Sequence, residues 1–494
     1  MMPCFLWYGY NLAILGGVLS QPNFYNQFPK LNTDTTTGAT HHYNSNIQGT
    51  VSSIYTVGGM FGALSASFYG DILGRRKTIF IASILCLIGA VLMTSSFSLG
   101  QLIVGRLILG LSAGTVSASV PVYQSEISSA SKRGTHVAYT GFFITSGILI
   151  AYWIDFGCSY INSSASWRVP FAVQLILPLI SGTLIFFLPE SPHWLIKVGR
   201  VDEARSIMSL FVDNADPYSD PVEEQVAEIQ RSLSVMQTLR FRDVLSMKDS
   251  RIFHRVLLAL FSLFCSQACG VNAVTFYAPS LLAQAGISPG MAGWLAGCTE
   301  IVQPIGAYLA VLTVDSFGRR RLLMTAAIGM GISMIVMAAC TAQTENKSAL
   351  HAGVAFLFII NLAYSYGFLG VCFVYSAEIA PQRIRALING FATFVTWGTN
   401  FWVVEVTPVA FASIGWRYYI VYAATNLALI LPVLYFCFPE TSGLHLDQID
   451  EVFSKAKGFF DIVRVAKEVK QEGYQHEPSV IDTKEQIEEE ESIN

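Results

Sequence analysis

The sequence predicts an all-α membrane protein in which twelve transmembrane helices form two pseudo-symmetric halves of six. The first observation is composition, since hydrophobic residues make up 52% of the 494 positions and charged residues only 13%. Soluble domains carry about 25% charged residues, so we expect lipid to be the solvent of this chain. The second is a series of apolar segments of roughly 20 residues, which suffices to cross a hydrocarbon core of about 30 Å. The third is an internal repeat at about half the chain length.

The apolar segments divide the chain into four parts. Residues 1–188 and 254–438 hold six segments each, and residues 189–253 between them carry the short amphipathic runs of a helical linker. Residues 439–494 form a polar tail that ends in an acidic run and is expected to be disordered. The predicted spans are 3–22, 47–69, 78–98, 100–122, 135–156, 168–188, 254–284, 291–314, 322–342, 351–377, 386–411 and 416–438.

Lysine and arginine residues in the short loops set the expected orientation. One end of the predicted bundle holds ten of them and the other end four. Basic loops favour the cytoplasmic side, so we expect both termini and the linker in the cytoplasm, and the multi-pass chain in the plasma membrane. Asn162 and Asn346 begin Asn-x-Ser sequences on the opposite side, where N-glycosylation is permitted.

Composition and spacing argue against several other classes of function. The net charge of -4 is too small to indicate a nucleic-acid partner, and the nine cysteines show no metal-ligand spacing. No nucleophile–base pair and no phosphate-binding loop is evident in the sequence. We therefore expect neither an enzyme nor a bound metal or cofactor, and a monomer whose partners are a small solute and the bilayer.

Four motifs repeat in the same order, at offsets of 244 to 252 residues. Two parallel halves imply a pseudo-two-fold axis along the membrane normal and a substrate site between the halves near the midplane. The repeated motifs are Asp71 to Lys77 with Asp315 to Arg321; Tyr123, Glu126 and Arg133 with Tyr375, Glu378 and Arg385; Trp167-Arg168 with Trp416-Arg417; and Pro189-Glu190-Ser191 with Pro439-Glu440-Thr441.

With these motifs, and with Gly105-Arg106, residues 1 to about 455 resemble the sugar porter family of the major facilitator superfamily, its fungal members most of all. The resemblance implies the major facilitator fold and the transport of a sugar by alternating access. A sugar receptor that signals through its tail is an alternative, but such receptors have long cytoplasmic extensions.

Acidic and basic residues recur together at the predicted cytoplasmic ends of the helices. Charges at the membrane edge are costly unless they are paired, so we expect ion pairs that close the cytoplasmic side in one conformation. Topology alone explains the basic residues but not the repeated acids. The predicted gating residues, of which Glu190 and Glu440 follow from the resemblance, are Asp71, Arg75, Arg76, Glu126, Arg133, Glu190, Asp315, Arg319, Arg320, Glu378, Arg385 and Glu440.

The candidate solute site rests on amides within apolar segments. Gln267 and Asn272 flank Gly270 in a segment similar to the family's seventh-helix motif, and an amide can donate to or accept from a hydroxyl. We expect Gly270 to let the helix loosen here and free backbone groups towards the solute. By the same resemblance Gln303 and Asn400 line the sugar site, and Trp397, on the face of Asn400, can stack on a sugar ring. The alternative for each amide is a hydrogen bond between helices.

The sequence also departs from the family pattern. Gly141 and Ser266 stand where relatives usually carry glutamine, and Phe373 stands where they carry tryptophan. Two lost glutamine side chains leave a roomier cavity with fewer hydroxyl partners. We therefore expect a sugar that is larger than glucose or hydroxylated differently.

Asn11 bears on energy coupling. Proton-coupled members of the family resemble one another in carrying aspartate at this place, and an amide cannot titrate. Asn11 therefore favours a uniporter, in which Arg106 is a structural cation. A proton symporter remains the alternative, because Glu300 lies in an apolar segment one turn from Gln303.

Overall fold

The computed structural model describes residues 1–33, 35–127, 133–210, 216–236, 251–284, 287–343, 346–381, 385–444 and 446–476. The regular structure of these residues is helical. The first half and the linker contain α1 (Met2–Val18), α2 (Pro22–Gln27), α3 (Gly38–Leu73), α4 (Arg75–Thr94), α5 (Leu99–Glu126), α6 (Arg133–Ser159), α7 (Ala165–Val173), α8 (Ile176–Leu184), α9 (Pro192–Lys197), α10 (Val201–Ser209) and α11 (Asp220–Met236).

The second half and the tail contain α12 (Ile252–Ala268), α13 (Val271–Gln284), α14 (Pro289–Phe317), α15 (Arg319–Ala342), α16 (Lys347–Gly367), α17 (Val371–Ile379), α18 (Arg385–Ile414), α19 (Arg417–Ala424), α20 (Leu431–Cys437), α21 (Leu446–Lys455) and α22 (Ile462–His476). A π-helical stretch, Thr425–Ile430, joins α19 to α20.

Within the described residues, nine helical segments are long and apolar enough to cross a membrane. They coincide with nine of the predicted spans, and α1, α3 and α18 occupy the positions of the other three. Large apolar side chains such as Phe68 and Phe187 point outward, at 71% and 85% exposure. An apolar exterior of this kind is stable only in lipid. The chain is thus a helical, multi-pass membrane protein.

The two halves pack by the same rules. In the first half α3 and α4 both pack on α5, and in the second half α14 and α15 both pack on α16. Likewise α1 packs on α6, and its counterpart α12 packs on α18. The halves meet where α3 contacts α18 and α6 contacts α14, two contacts that the pseudo-two-fold axis exchanges. The predicted parallel repeat is therefore present in three dimensions.

The loops Asp71–Lys77 and Asp315–Arg321 lie at the same end of the helix bundle, which we call the basic end. We call the opposite end of the bundle the far end. At the basic end the linker helices α9 to α11 bury their own apolar cluster. Lys197 of α9 pairs with Asp71 at 2.9 Å, and the Trp194 indole donates to the Asp71 carbonyl at 3.0 Å.

Two tail helices pack against the second half, so the prediction of a disordered tail is wrong for residues 446–476. The buried Arg255 pairs with Asp450 of α21 at 2.6 Å and donates to the Ile379 carbonyl at 2.7 Å. Phe453 and Phe459 pack on His254. Aromatic burial thus holds a segment whose composition alone indicates disorder. Residues 477–494 lie outside the described part of the chain.

A break in the seventh span lies where the sequence predicts it. Helix α12 ends at Ala268 and α13 begins at Val271, with Gly270 between them at φ 94°. A β-carbon at Gly270 would lie 2.5 Å from the Tyr422 ring, so only glycine fits. Asn426 donates to the Cys269 carbonyl at 2.9 Å, which supplies a partner for a backbone group at the break.

We expect Gly270→Ala to destabilise the protein by about 2 kcal/mol or more, because it adds left-handed backbone strain to a steric clash. Thermal unfolding of the purified protein in detergent measures the change. Gly157→Ala is the matched control, since a β-carbon in that part of α6 meets no atom within 4 Å. Equal unfolding temperatures for the two variants would contradict the strained break.

Candidate functional site

At the basic end of the first half, a carboxylate caps the start of α4. Gly74 turns the chain at φ 87°, and the backbone N–H groups of Arg75 and Arg76 donate to Oε1 of Glu190 at 3.0 and 3.3 Å. A β-carbon at Gly74 would lie 2.7 Å from Oε2 of Glu190. A negative charge at a helix N-terminus is stabilised by the helix dipole. Glycine here thus admits both the turn and the carboxylate.

The second half repeats this cap. Gly318 turns the chain at φ 88°, and the N–H groups of Arg319 and Arg320 donate to Glu440 at 2.8 and 3.2 Å. A β-carbon at Gly318 would lie 2.5 Å from Oε2 of Glu440. The same glycine and glutamate therefore satisfy the same helix terminus in both halves.

The first arginine of each loop joins two acidic side chains. Arg75 donates to Glu126 at 3.0 and 3.1 Å and to Asp71 at 3.3 Å. In the second half the equivalent Arg319 donates to Glu378 at 2.8 and 3.1 Å, and its guanidinium lies 2.8 Å from Asp315. The arginines and glutamates are 10 to 24% exposed, which strengthens their attraction, whereas Asp71 and Asp315 are 46% and 84% exposed.

The second arginine of each loop binds the end of the last span. Arg76 donates to the carbonyls of Ile185 and Phe186 at 3.3 and 2.7 Å. Arg320 donates to those of Leu434 and Tyr435 at 3.3 and 2.5 Å. Carbonyls at a helix C-terminus have no partner within the helix, so these arginines satisfy them.

Two tyrosines, which the search for gating residues missed, complete the clusters. The Tyr123 hydroxyl donates to the Pro189 carbonyl, and the Tyr375 hydroxyl donates to the Pro439 carbonyl at 3.2 Å. The sequence could have identified both tyrosines, because they recur at the spacing of the internal repeat. We call each set of loop, glutamates and tyrosine an end cluster; each ties the helix ends of one half together.

The structure brings the described gating residues together in the two end clusters. The ion pairs of the end clusters join helices within a half and not across the halves. The side chains of Arg133 and Arg385 lie outside the described residues. Beside the second end cluster is a cavity of about 730 Å³, which Lys467 and Lys470 of the tail also line. It lies at the helix ends, away from the expected midplane solute site.

The predicted solute residues fall into separate groups. At the break after α12, the Asn272 amide donates to Gln267 at 2.5 Å, and the Gln267 amide donates to the Ser266 hydroxyl at 3.2 Å. Gln267 and Ser266 are buried, and Asn272 is half-buried. The three side chains form one polar group on the broken span.

Gln303 belongs to a second group, in which every side chain is buried. Its amide donates to Glu300 and, at 3.2 Å, to Asn361 of α16. The Asn361 amide in turn donates to Glu300 at 3.3 Å and to the Thr299 carbonyl at 3.1 Å. The sequence analysis missed Asn361, although a single amide within an apolar span indicates a buried polar contact. This group links α14 to α16.

Trp397 reaches across to the first half. Its indole N–H donates to Ser117 at 3.2 Å, and its ring lies 6.0 Å from that of Tyr8 and 5.8 Å from that of Tyr55. Asn400, one turn further along α18, is buried with its Oδ1 unpartnered. An unsatisfied buried acceptor is suited to a hydroxyl donor.

The positions that depart from the family pattern differ in their surroundings. A β-carbon at Gly141 would lie 3.3 Å from Leu369, so Gly141 faces the other half. Phe373 is 41% exposed. Gly141 therefore lies between the halves, whereas the Phe373 side chain is exposed at the surface of the protein.

Asn11 and Arg106 are both buried but have different partners. The Asn11 amide donates to the Cys86 thiol at 3.4 Å and its Oδ1 is unpartnered. Arg106 donates to the carbonyls of Ser52 and Val51 at 2.9 and 3.4 Å, and its guanidinium lies 4.9 Å from the centre of the Tyr55 ring. The guanidinium thus bonds to the backbone of α3.

At the far end, hydrogen bonds join the halves. Glu405 of α18 accepts from Thr50 of α3 at 3.0 Å and also from Ser53. The Tyr152 hydroxyl of α6 donates to the Thr275 carbonyl of α13. We call these contacts the far-end seam. In the described part of the chain, these contacts close the gap between the two halves at the far end. The predicted glycosylation residues Asn162 and Asn346 are exposed.

Comparison with known proteins agrees with this geometry. The sequence profile described as sugar (and other) transporter matches residues 2–453. The sugar transporter STL1 of Saccharomyces cerevisiae is 33% identical over 92% of this chain and 80% of its own length. The MFS-type transporter oryC of Aspergillus oryzae is 37% identical over 82% of this chain and 76% of its own length.

Solved structures show the same fold. The xylose transporter XylE from E. coli, in a partially occluded inward open conformation, superposes with a TM-score of 0.74 at 21% identity. The superposition covers 90% of this chain and 97% of XylE. The predicted major facilitator fold is confirmed by this likeness.

The end clusters predict strong coupling between Arg319 and Glu378. Because the two side chains are only 12% and 24% exposed, a double-mutant cycle with Arg319→Ala and Glu378→Ala is expected to give about 2 kcal/mol of coupling. Equilibrium unfolding in mixed micelles measures it. The pair Arg200–Glu203, whose side chains are 52% and 55% exposed, is the control and should give no measurable coupling. Equal coupling energies in the two pairs would contradict the view that burial strengthens the Arg319–Glu378 ion pair.

Proposed function

This chain belongs to the sugar (and other) transporter family, and we propose on that premise that it carries a sugar across a membrane by alternating access, as a uniporter. The observation that carries uniport is Asn11, a buried amide in the first helix that cannot bind and release a proton. Its amide bonds to Cys86, and Arg106 bonds to the backbone of α3. Solute flux then follows the solute gradient alone.

A sugar is the solute that the buried polar groups suit. Relatives include a high-affinity glucose transporter of Candida albicans, 29% identical over 83% of this chain. Neutral amides and an indole ring match hydroxyl groups and a sugar ring without adding charge. The proposed solute-binding residues are Gln267, Asn272, Gln303, Trp397, Asn400, Asn11, Ser266, Gly141 and Phe373.

Gly141 and Ser266, which stand where relatives usually carry glutamine, leave room for a sugar larger than glucose. Gly141 faces Leu369 across the halves, and Ser266 has only a short hydroxyl beside Gln267. A glutamine at either position would fill space and present an amide. Their absence supports a solute that fills the space itself.

The end clusters serve gating by keeping each half rigid. With the ends of α3, α4, α5 and α8 tied together, a half can rotate as one body against the other. The basic end is proposed to face the cytoplasm of a plasma-membrane protein with both termini inside, which leaves Asn162 and Asn346 outside for glycosylation. The transporter is proposed to act as a monomer.

A second candidate, proton-coupled symport, is favoured by Glu300. This carboxyl is fully buried and bonds to Gln303 and Asn361, and one of these partners is a proposed solute residue. Protonation of Glu300 would then change the donors and acceptors that Gln303 offers to the solute. The two candidates differ in whether charge crosses the membrane with the sugar.

Counterflow in proteoliposomes, with a panel of monosaccharides, disaccharides, polyols and sugar acids, identifies the solute. An imposed potential of 100 mV then separates the candidates. A uniporter is expected to reach equal concentrations on both sides, whereas one coupled proton contributes about 2.3 kcal/mol, or about 50-fold accumulation.

Two variants sharpen this test. Asn11→Asp is expected to introduce dependence on pH, and Glu300→Gln should leave net uptake driven by the sugar gradient in place. Accumulation by the parent that Glu300→Gln abolishes, with exchange retained, would establish symport and contradict uniport. Counterflow with none of the solutes in the panel would contradict sugar transport.

A further inference from the structure

Asp155 is a buried carboxyl that neither the end clusters nor the solute residues use. It lies on α6, one turn before the helix ends at Ser159, and is 2% exposed. Neither carboxylate oxygen has a hydrogen-bond partner. The carboxyl packs on α1, because a β-carbon at Gly17 would lie 2.2 Å from its Oδ2.

Among the residues that the structure describes, no cation pairs with Asp155. Arg168 donates instead to the carbonyls of Thr94 and Ser96 at 2.7 and 3.1 Å, and Arg106 bonds to the backbone of α3. The described parts of α6 and of the helices packed against it carry two cations, Arg106 of α5 and Arg168 of α7. The other titratable groups on these helices are Cys4, Tyr8 and Tyr10 of α1, Tyr123 and Glu126 of α5, Tyr139, Tyr152 and Cys158 of α6, Cys298, Glu300, Tyr308 and Asp315 of α14, and Cys372, Tyr375 and Glu378 of α17.

An ionised carboxylate is not stable in these surroundings. A charge within a membrane-spanning helix needs a partner or water, and burial of an unpaired ion is strongly unfavourable. Asp155 has neither a donor nor exposure in this conformation. The carboxyl is therefore neutral here and holds its proton.

The position of Asp155 links this proton to the far-end seam. Tyr152, three residues earlier and so on the same side of α6, donates across the halves to the Thr275 carbonyl. Opening of the far end must break that bond and separate α6 from α13. Because α13 also packs on α1, its departure uncovers the groove between α1 and α6 that holds the carboxyl. Water then enters this groove, and a hydrated aspartate loses its proton above about pH 4.

We propose that Asp155 is a proton-binding site that must be occupied for the far end to close. The proposal rests on the alternating access of the proposed function. The closed state holds one proton more than the open state, so acid on the far side favours closure and alkali favours opening. Above about pH 4 the ratio of open to closed protein rises by up to tenfold per pH unit. Because the proton enters and leaves on the same side, sugar transport remains uniport.

Accessibility of a cysteine at the seam measures this equilibrium without knowledge of the solute. Gln48 of α3 is 4% exposed and precedes Gly49, where a β-carbon would lie 2.6 Å from the Glu405 carbonyl. Cells that express Gln48→Cys are labelled with a membrane-impermeant maleimide at external pH 5 to 8. The parent without this substitution gives the background from the native cysteines, which are buried or half-buried.

Labelling of Gln48→Cys is expected to rise severalfold with external pH. Added Asp155→Asn should abolish this dependence and keep labelling low, and Asp155→Ser should do the same if the first variant fails to fold. Asp202→Asn, the same acid-to-amide change at an exposed position of the linker, is the control and should keep the dependence.

Two results would overturn the proposal: labelling of Gln48→Cys that does not change with pH, or an unchanged pH dependence in both Asp155 variants. Uptake of the panel sugars by the same cells separates this proposal from the proposed function. Uptake with pH-independent labelling contradicts only the proton site. Labelling that depends on pH and Asp155, in cells that take up none of the sugars, contradicts only sugar transport.

Discussion

The carboxylates of Glu190 and Glu440 are the constraint on which the rest of the structure depends. Each lies at the N-terminus of a helix that begins with two arginines, against a glycine that has no room for a β-carbon. The arginines then bind the acids of the next helices and the last carbonyls of the sixth and twelfth spans. One half-buried carboxylate in each half thus connects ends that are far apart in sequence. Because lipid offers these groups no hydrogen bonds, the cluster has no competing solvent on its membrane side.

The two halves are joined by helix packing and by single hydrogen bonds. Trp397 bonds to Ser117, and Glu405 bonds to Thr50 and Ser53 at the far end. In the part of the chain that the structure describes, these hydrogen bonds are fewer than those of each end cluster, so the halves can separate at the far end while each half stays intact. A contrast of this kind, with strong bonding inside a half and sparse bonding between halves, is what alternating access requires.

Much of this architecture could be predicted from the sequence, because the repeat places the same residues at the same helix ends twice. The break at Gly270 was also predictable, since glycine between two amides in an apolar span has few other uses. The partners of buried polar groups were not predictable. Asn361 bonds to Glu300 across 61 positions, and the burial of Asp155 depends on the packing of α1 on α6. The tail helices were missed because Phe453 and Phe459 bind a surface on another part of the chain.

Rigid halves are the central claim, and distances between spin labels test it most directly. Labels at Lys77 and Arg321 report on separation of the halves at the basic end, and labels at Lys77 and Tyr139 report on the first half alone. Saturating sugar is expected to shift the first distance and leave the second unchanged. Glu190→Gln should broaden the second distribution, because it weakens the cap of α4. A sugar-dependent change in the second distance of the parent protein would contradict movement of the halves as rigid bodies.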